Sequence, residues 1–489
     1  MPNTPRAKAL MIQGTSSSVG KSVMATALCR ILAQDGIKVA PFKAQNMSNN
    51  SYVTPDGREI GRAQAVQAQA AGVETQVEMN PILLKPETDQ RSQVVLMGRP
   101  YTSAQTMDYY ELKSHLWESV HTSLDILRDQ YDIVVIEGAG SPAEINLKAT
   151  EIVNMRVALY ADAPVLLCGD IDRGGVFASL VGTLELLERE EREVIKGFVI
   201  NKFRGDINLL TDGLTWLEDR TGIPVTGVVF HYRDIHIPEE DSVALDLPMR
   251  VKGNAVLDIA VIQAPHISNF DDFDPLAMEA GVTLRYVDSP QDLARPDLII
   301  LPGTKTTIPD LAWMDRQGLT QAVREAHTNG SALVGICGGY QMLGSEVRDP
   351  DGVESTQTQL PGLGLLPMTT TFAGSKETHR VTGKVSLDLG LLAGAKGLPV
   401  QGYEIHMGRT VVDGVGVPFA IDDRSDLAVT KDNAMDGSLD STGWVMGTYI
   451  HGLFHNTGLR QALLQALARR KGVTLPSSDD VISIDGEFD

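Results

Sequence analysis

The sequence predicts two consecutive α/β domains, each built on a largely parallel sheet. Short apolar runs alternate with longer amphipathic stretches in both halves of the 489-residue chain, as in strands joined by crossover helices. A glycine-rich loop follows the first predicted strand, and a cysteine framed by glycines follows a strand of the second half. The length suggests two to four domains, which agrees with this division.

The predicted elements follow the chain in order. In the first half we expect strands at 9–12, 39–42, 132–136, 165–168, 197–200 and 225–229, with helices at 21–34, 62–71, 109–129 and 179–191. In the second half we expect strands at 257–262, 282–287, 298–301, 332–336 and 444–450, and a helix at 459–468. Periodicity fades in a charged, proline-containing stretch, so the predicted domains are 1–235 and 255–489 with a linker at 236–254.

The composition argues against several classes of function. A share of 43% apolar and 21% charged residues is typical of a folded protein. Acidic residues outnumber basic ones 63 to 42, for a net charge of −21, which disfavours nucleic-acid binding. No apolar run approaches the roughly 20 residues of a membrane span, and the N-terminus lacks a signal-peptide pattern. We therefore expect a cytoplasmic protein that contacts neither nucleic acid nor membrane.

The loop from Gly14 to Ser22 predicts a nucleoside triphosphate site. Its order of strand, glycine loop and helix is the one that nucleotide binding requires. Backbone N–H groups around Gly14, Thr15 and Gly20 can surround phosphate oxygens, while Lys21 supplies a charge and the Ser22 hydroxyl can bind Mg²⁺. Five residues separate the glycines, a spacing that resembles the dethiobiotin synthetase type of P-loop. The alternative is a helix-capping turn.

Two further strand ends fit the same site. Glu137 ends the apolar strand at 132–136, where a carboxylate can reach phosphate-bound Mg²⁺. Asn201 ends another strand and resembles the position where related P-loop ligases hold the nucleobase. The alternatives are a capping carboxylate for Glu137 and a turn residue for Asn201.

The second half contains a candidate cysteine nucleophile. Cys337 lies in a G-x-C-x-G turn directly after a strand, where small neighbours tolerate the strained backbone that exposes a thiol. His451, after a late strand, is the best candidate base among ten histidines. The N–H groups of Gly303 and Gly338 could stabilise an oxyanion. Together these residues predict glutamine hydrolysis through a thioester.

This half resembles class I glutamine amidotransferase domains. In that family a glutamate normally stands two residues after the histidine, but here the position is Leu453. What orients His451 is therefore open, and Glu404 is a candidate substitute. For Cys29 and Cys168 the alternative reading, a small buried hydrophobe, is as good or better.

An ATP-using half joined to an ammonia-releasing half predicts amide ligation through an acyl phosphate. Beyond that, the sequence resembles the cobyric acid synthase family along nearly its whole length. The segments that carry the resemblance are 40–51, 59–64, 80–86, 170–177, 201–206 and 265–275. The resemblance implies ATP- and glutamine-dependent amidation of the b, d, e and g carboxylates of adenosylcobyrinic acid a,c-diamide. The corrinoid is then a substrate, Mg²⁺ accompanies ATP, and no redox cofactor is expected.

A polycarboxylate substrate needs cations and amide donors. The candidates for binding it or the acyl phosphate are Lys43, Gln45, Asn46, Arg62, Lys85 and Arg173. Their alternative role is ordinary surface solvation. Two rival functions stay open: a related ligase acting on cobyrinic acid or another polycarboxylate, and a P-loop regulatory ATPase with an inactive glutaminase-like domain. The sequence leaves a homo-oligomer open.

Overall fold

The computed structural model describes residues 6–88, 91–232, 255–414, 416–430 and 433–476. They form two compact units. The first comprises residues 6–48 and 60–232, and the second comprises Asn49–Glu59 and 255–476. The linker expected at 236–254 lies outside the described residues, and the domain boundaries stay a prediction. No helix among the described residues has the length and apolar composition needed to cross a membrane.

The strands and helices up to residue 232 are as follows. The strands are β1 (Lys8–Gly14), β2 (Val39–Phe42), β3 (Gln45–Met47), β4 (Ser51–Val53), β5 (Glu59–Gly61), β6 (Ile82–Thr88), β7 (Arg91–Leu96), β8 (Arg99–Gln105), β9 (Ile133–Glu137), β10 (Val165–Asp170), β11 (Ile195–Phe203) and β12 (Val225–Phe230). The helices are α1 (Lys21–Gln34), α2 (Arg62–Ala70), α3 (Thr106–Gln130), α4 (Met155–Ala161), α5 (Val176–Leu186), α6 (Arg189–Val194) and α7 (Thr211–Thr221).

The first unit is built on a parallel sheet in the order β12-β11-β10-β1-β9-β2. Its central strands are almost wholly buried, which explains why they appear in the sequence as continuous apolar runs. A smaller sheet in the order β3-β6-β7-β8 accompanies it. Because the strands of the main sheet run the same way, their carboxyl ends meet at one edge, where the phosphate loop begins.

The remaining elements belong to the second half of the chain. The strands are β13 (Leu257–Ile262), β14 (Ile267–Ser268), β15 (Val282–Val287), β16 (Leu298–Leu301), β17 (Gly303–Thr304), β18 (Ala332–Ile336), β19 (Glu346–Arg348), β20 (Gln359–Pro361), β21 (Met368–Val385), β22 (Pro399–Val412), β23 (Phe419–Arg424), β24 (Met435–Asp436), β25 (Ser438–Leu439) and β26 (Val445–Thr448). The helices are α8 (Asp274–Met278), α9 (Pro290–Leu293), α10 (Thr307–Arg316), α11 (Leu319–Thr328), α12 (Gly338–Leu343) and α13 (Thr457–Lys471).

The second unit has a main sheet in the order β15-β13-β16-β18-β26-β25, parallel except at β25. A mostly antiparallel sheet contains β20-β19-β21-β23-β24, and β22 pairs with β21 along most of its length. The carboxyl ends of β16, β18 and β26 lie side by side, because these strands are neighbours in register. The residues that follow them therefore converge.

The predicted α/β architecture is confirmed, and most predicted elements agree with the structure to within a few residues. One helix is different: the segment predicted as 179–191 is divided into α5 and α6. The division falls at Glu188, which caps α6 through a reciprocal capping box with Glu191. The antiparallel sheets of both units were not predicted.

Close packing of α12 against β16 requires a glycine at position 339. A methyl group there would lie 1.9 Å from the carbonyl oxygen of Leu301, which is rigid strand backbone. We expect Gly339→Ala to destabilise the second unit by about 3 kcal/mol, the upper end of the usual overpacking cost. Thermal unfolding followed by circular dichroism measures the effect. Gly374→Ala, with open space around the new methyl group, is the control, and equal losses in both variants would contradict this packing.

Candidate active sites

The phosphate loop has the backbone geometry of an anion site. Gly14 ends β1, and the N–H of Thr15 donates to the carbonyl of Cys168 at 3.0 Å. Gly20 precedes α1 in a left-handed conformation with φ of 101°. A side chain at Gly20 would collide with the Asn201 amide, because a Cβ atom there would lie 2.1 Å from Nδ2. The loop therefore needs glycine where its backbone turns into the helix.

Lys21 is held inside this loop. Its ammonium group donates to the carbonyl oxygens of Ser16 at 2.9 Å and Gly140 at 3.1 Å. Gly140 follows β9, so the lysine joins the loop to the neighbouring strand end. A fixed positive charge beside inward-facing backbone amides favours binding of a polyphosphate.

Glu137 is the centre of a buried polar cluster beside the loop. Its carboxylate accepts hydrogen bonds from Ser22 Oγ at 2.8 Å, Lys43 Nζ at 3.0 Å and Gln67 Nε2 at 2.6 Å. Burial alone raises the pKa of Glu137, but the Lys43 charge and the three hydrogen bonds outweigh it, so the pKa lies below its usual value. The carboxylate is ionised, and with the Ser22 hydroxyl it offers the oxygen donors that Mg²⁺ prefers.

Asn201 lies against the phosphate loop. Its Nδ2 donates to the carbonyl of Val19 at 2.8 Å, while its Oδ1 is buried without a hydrogen-bond partner among the described residues. Lys202, in a left-handed conformation, donates to the carbonyl of Ser18 at 2.8 Å and to Asp170 at 2.9 Å. The unused Asn201 oxygen is available to accept a hydrogen bond from a ligand.

The six candidate substrate-binding residues all lie in the first unit, and three of its neighbouring elements, β3, β6 and α2, carry four of them. Lys43 belongs to the Glu137 cluster, and Asn46 donates to Gln64 at 3.0 Å. Gln45 lies in β3, Arg62 begins α2 and Lys85 lies in β6. Arg173 is different, because its side chain is 72% exposed and its Nε lies 3.8 Å from Asp170. Their roles toward a substrate stay a prediction.

Cys337 lies at the turn between β18 and α12. Its φ of 52° and ψ of −109° are strained for a residue with a side chain, as expected of a nucleophile elbow. Its thiol donates to the carbonyl of Ile405 at 3.3 Å, and its N–H donates to the carbonyl of Thr448 at 2.9 Å. The His451 imidazole, which follows β26, is near enough for the Cys337 sulfur to raise its pKa.

Asp272 orients His451, and sequence analysis missed it. Its Oδ2 lies 2.7 Å from His451 Nδ1, and its Oδ1 accepts the N–H of Gly452 at 2.7 Å. Both side chains are at most 2% exposed. A face of the imidazole also has a partner, since the Tyr403 ring stacks on it with centroids 5.3 Å apart. The arrangement is a cysteine–histidine–aspartate triad.

This environment sets the charge of His451. Burial by itself lowers the pKa of the imidazole, but the Asp272 carboxylate and the Cys337 sulfur more than offset it and raise the pKa to about 10. At neutral pH His451 is therefore an imidazolium, which stabilises a cysteine thiolate and can donate a proton to a leaving amine.

The suggestion that Glu404 orients His451 is wrong. The Glu404 carboxylate is held by the Arg424 guanidinium in two hydrogen bonds of 2.9 Å each, and both side chains are buried. The other two cysteines behave as buried hydrophobes. Burial is the main cause that raises the pKa of Cys168 to about 12 and that of Cys29 higher still, so neither is a reactive thiolate.

The two predicted oxyanion glycines lie beside this triad. A methyl group on Gly303 would be 2.9 Å from His451 Cε1, and one on Gly338 would be 3.1 Å from the backbone nitrogen of Thr304. Both positions are therefore close to the reacting groups. Their role as oxyanion donors stays a prediction.

The phosphate loop and the triad define a class of protein in which a nucleotide-binding domain is joined to a glutamine amidotransferase domain. Two protein families match accordingly. Residues 10–243 match the CobQ/CobB/MinD/ParA nucleotide binding domain, and residues 258–459 match the CobB/CobQ-like glutamine amidotransferase domain.

Similar proteins of known name narrow this class to a single family. Cobyric acid synthase of Dehalococcoides mccartyi strain CBDB1 is 51% identical over 99% of this chain and 95% of its own. Cobyric acid synthase of Moorella thermoacetica is 53% identical over 96% of this chain and 90% of its own. The chain therefore belongs to the cobyric acid synthase family. Among solved structures, PurLQS from Thermotoga maritima is 21% identical, with a TM-score of 0.33, over 43% of this chain and 99% of that one.

Removing the Asp272 charge should change the pH dependence of glutamine hydrolysis. In Asp272→Asn, the largest contribution that offsets the burial of His451 is lost and only that of the Cys337 sulfur remains, so the pKa of His451 should fall from about 10. The imidazolium then loses its proton at a lower pH, so the basic limb of the pH profile of kcat/KM for glutamine should shift to lower pH. The rate at neutral pH should fall about 100-fold. Glutaminase assays from pH 6 to 10 measure both effects.

Glu404→Gln is the matched control, because it neutralises a different buried carboxylate, which lies in β22 and pairs with Arg424. It should leave the basic limb where it is. A shift in Glu404→Gln together with an unshifted limb in Asp272→Asn would mean that the orienting residue has been misassigned.

Proposed function

We propose that this chain converts carboxylates of a corrinoid into amides, using ATP to activate each carboxylate and glutamine as the nitrogen source. The specific substrate we propose is adenosylcobyrinic acid a,c-diamide, amidated at its b, d, e and g carboxylates to give cobyric acid. The observation that carries the proposal is the combination, in one chain of this family, of the Lys21–Glu137 phosphate site and the Cys337–His451–Asp272 triad.

In the second unit, the Cys337 thiolate attacks the side-chain carbonyl carbon of glutamine. The N–H groups of Gly303 and Gly338 stabilise the resulting oxyanion. His451 donates its proton to the leaving nitrogen, which departs as ammonia and leaves a thioester. His451 then accepts a proton from water, whose attack on the thioester releases glutamate and regenerates the thiolate.

In the first unit, a substrate carboxylate oxygen attacks the γ-phosphorus of ATP and releases ADP. Lys21 and the loop amides stabilise the charge that develops on the phosphate oxygens. Ammonia then attacks the acyl phosphate carbon, and inorganic phosphate leaves. Each cycle thus converts one carboxylate, one glutamine, one ATP and one water into one amide, glutamate, ADP and phosphate. Lys43, beside Glu137, is well situated to pair with the acyl phosphate.

Ser22 and Glu137 are the residues that would hold Mg²⁺, because their oxygens already lie 2.8 Å apart next to Lys21. When bound, the ion would neutralise charge on the phosphate oxygens. Asn201 would recognise the base, since its buried Oδ1 can accept a hydrogen bond from an exocyclic amino group. Gln45, Asn46, Arg62, Lys85 and Arg173 are the further candidates for contacts with the corrinoid.

The two halves of this chemistry should separate by mutation. Cys337→Ala should abolish glutamine-dependent amidation and retain amidation with ammonium salts, because the thioester step is lost but the acyl phosphate still forms. Lys21→Ala should lower the rate with both nitrogen sources by about 100-fold or more, since an electrostatic contact to the transferred phosphoryl group is removed. Mass spectrometry of corrinoid products counts the amides formed.

Cys29→Ala is the control for the cysteine change, because this thiol is also buried but lies on α1 of the first unit. It should retain both activities. Full glutamine-dependent synthesis by Cys337→Ala would disprove the nucleophile, and an absence of corrinoid amides under all conditions would disprove the substrate.

The metal role of Glu137 predicts a change in Mg²⁺ requirement. Glu137→Gln keeps the shape of the side chain but removes its charge, so the Mg²⁺ concentration for half-maximal ammonia-dependent amidation should rise about tenfold or more. Asp125→Asn, a neutralised acid that instead pairs with Arg6, should keep the wild-type requirement. An unchanged requirement in Glu137→Gln would remove this residue from the metal site.

A further inference from the structure

The segment Asn49–Glu59, called here the inserted segment, belongs to the second unit although its neighbours Ser48 and Ile60 belong to the first. It contains β4, a turn at 54–58 and the start of β5. The turn is closed by the N–H of Thr54, which donates to the carbonyl of Arg58 at 2.8 Å. The second unit is therefore completed by residues from the N-terminal half of the chain.

The inserted segment is held by buried charges. The Glu59 carboxylate forms an ion pair with the Lys376 ammonium, and neither side chain is more than 9% exposed. Arg380 donates from Nε to the carbonyl of Val53 at 2.8 Å, and its guanidinium lies over the Tyr52 ring at 5.3 Å. Breaking a buried ion pair costs about 3–5 kcal/mol, so this position is well determined.

The aromatic ring of Tyr52 supports the ring that supports the catalytic histidine. Tyr52 meets Tyr403 edge to face with centroids 5.1 Å apart, and Tyr403 stacks on His451 at 5.3 Å. Val53 packs beside Tyr403 and Ile405, and the Ile405 carbonyl accepts the Cys337 thiol. Tyr403 and Ile405 therefore contact the cysteine–histidine pair, and both pack against residues of the inserted segment.

A second route leads to the aspartate. The N–H of Ser51 donates to Asn269 Oδ1 at 3.0 Å, and Asn269 Nδ2 donates to the Tyr403 hydroxyl at 3.3 Å. Asn269 has a left-handed φ of 52° and begins the 3₁₀ turn Phe270–Phe273, which carries Asp272. The inserted segment therefore contacts the supports of both Asp272 and the His451 ring.

We propose that the inserted segment is a positioning element of the glutaminase site: through Tyr403 and Asn269, its residues Ser51 and Tyr52 hold His451 and Asp272 in register with Cys337. This inference rests on the glutaminase role proposed above. Its consequence is that the glutaminase geometry depends on residues of the ligase half of the chain. A misplacement of reacting groups by about 1 Å can cost about 100-fold in rate, so small losses of support are measurable.

The test is Tyr52→Leu in the full-length protein. Glutamine-dependent amidation should fall about tenfold while ammonia-dependent amidation stays at the wild-type rate. Alkylation of Cys337 by iodoacetamide at pH 7 should slow as well, because a displaced imidazolium stabilises less thiolate. Tyr52→Phe keeps the ring and should restore both rates.

Asn269→Gly tests the second route, since glycine accepts the left-handed backbone but removes the carboxamide. It should slow Cys337 alkylation in the same way. Tyr101→Leu, the truncation of an exposed tyrosine on β8 in the first unit, is the matched control and should change neither rate.

Unchanged alkylation and glutamine use in Tyr52→Leu and Asn269→Gly would overturn the inference. So would an equal loss with glutamine and ammonia, which would mean that the inserted segment supports the whole fold rather than this site. Cys337→Ala separates the two proposals. If it abolishes glutamine use while Tyr52→Leu does nothing, the positioning inference fails alone, and if it retains glutamine use, the glutaminase assignment itself fails.

Discussion

The hydrogen bond between Asp272 and His451 is the contact on which the proposed glutaminase chemistry depends. Burial lowers the pKa of the His451 imidazole and the Asp272 carboxylate is the largest influence that raises it, so the carboxylate is the main reason that the imidazole carries the charge that could stabilise a thiolate. Three distant parts of the chain supply the triad: β18 leads to Cys337, β26 leads to His451, and a 3₁₀ turn carries Asp272. The parallel pairing of β18 and β26 brings two of these ends together, and the turn places Asp272 against the His451 imidazole.

The same principle governs the phosphate site. Glu137 is as buried as Asp272 and also has a cationic partner, here Lys43, which helps to keep the pKa of Glu137 below its usual value. Buried charges cost several kcal/mol unless they are paired, so both carboxylates need partners that the surrounding fold fixes in place. Each buried carboxylate also lies beside a group that can take part in a reaction. The Ser22 hydroxyl beside Glu137 can bind a metal ion, and the His451 imidazolium beside Asp272 can donate a proton.

The features that the sequence predicts correctly are those that a short stretch of the chain determines. Buried parallel strands are continuous apolar runs, and the glycines of the phosphate loop and of the Cys337 turn are required by backbone conformations that a short motif encodes. It missed the sheet around β21, because that strand is half-exposed and mixed in polarity over much of its length. It missed Asp272 because the aspartate is 179 residues from His451 and lies beside Asp271 and Asp274, which the sequence alone cannot distinguish from it. Glu404 pairs instead with Arg424, which is 20 residues away and which no local sequence pattern links to it.

Because of the inserted segment, a single boundary in the sequence cannot separate the two units. Asn49–Glu59 comes from the half of the chain that contains the phosphate loop, yet its Tyr52 and Ser51 contact the supports of the glutaminase triad. A chain cut between the two halves would leave Glu59 and Lys376 without each other, and each buried charge would then lack its partner. The second unit therefore takes one partner of a buried ion pair and one partner of an aromatic contact from the N-terminal half of the chain.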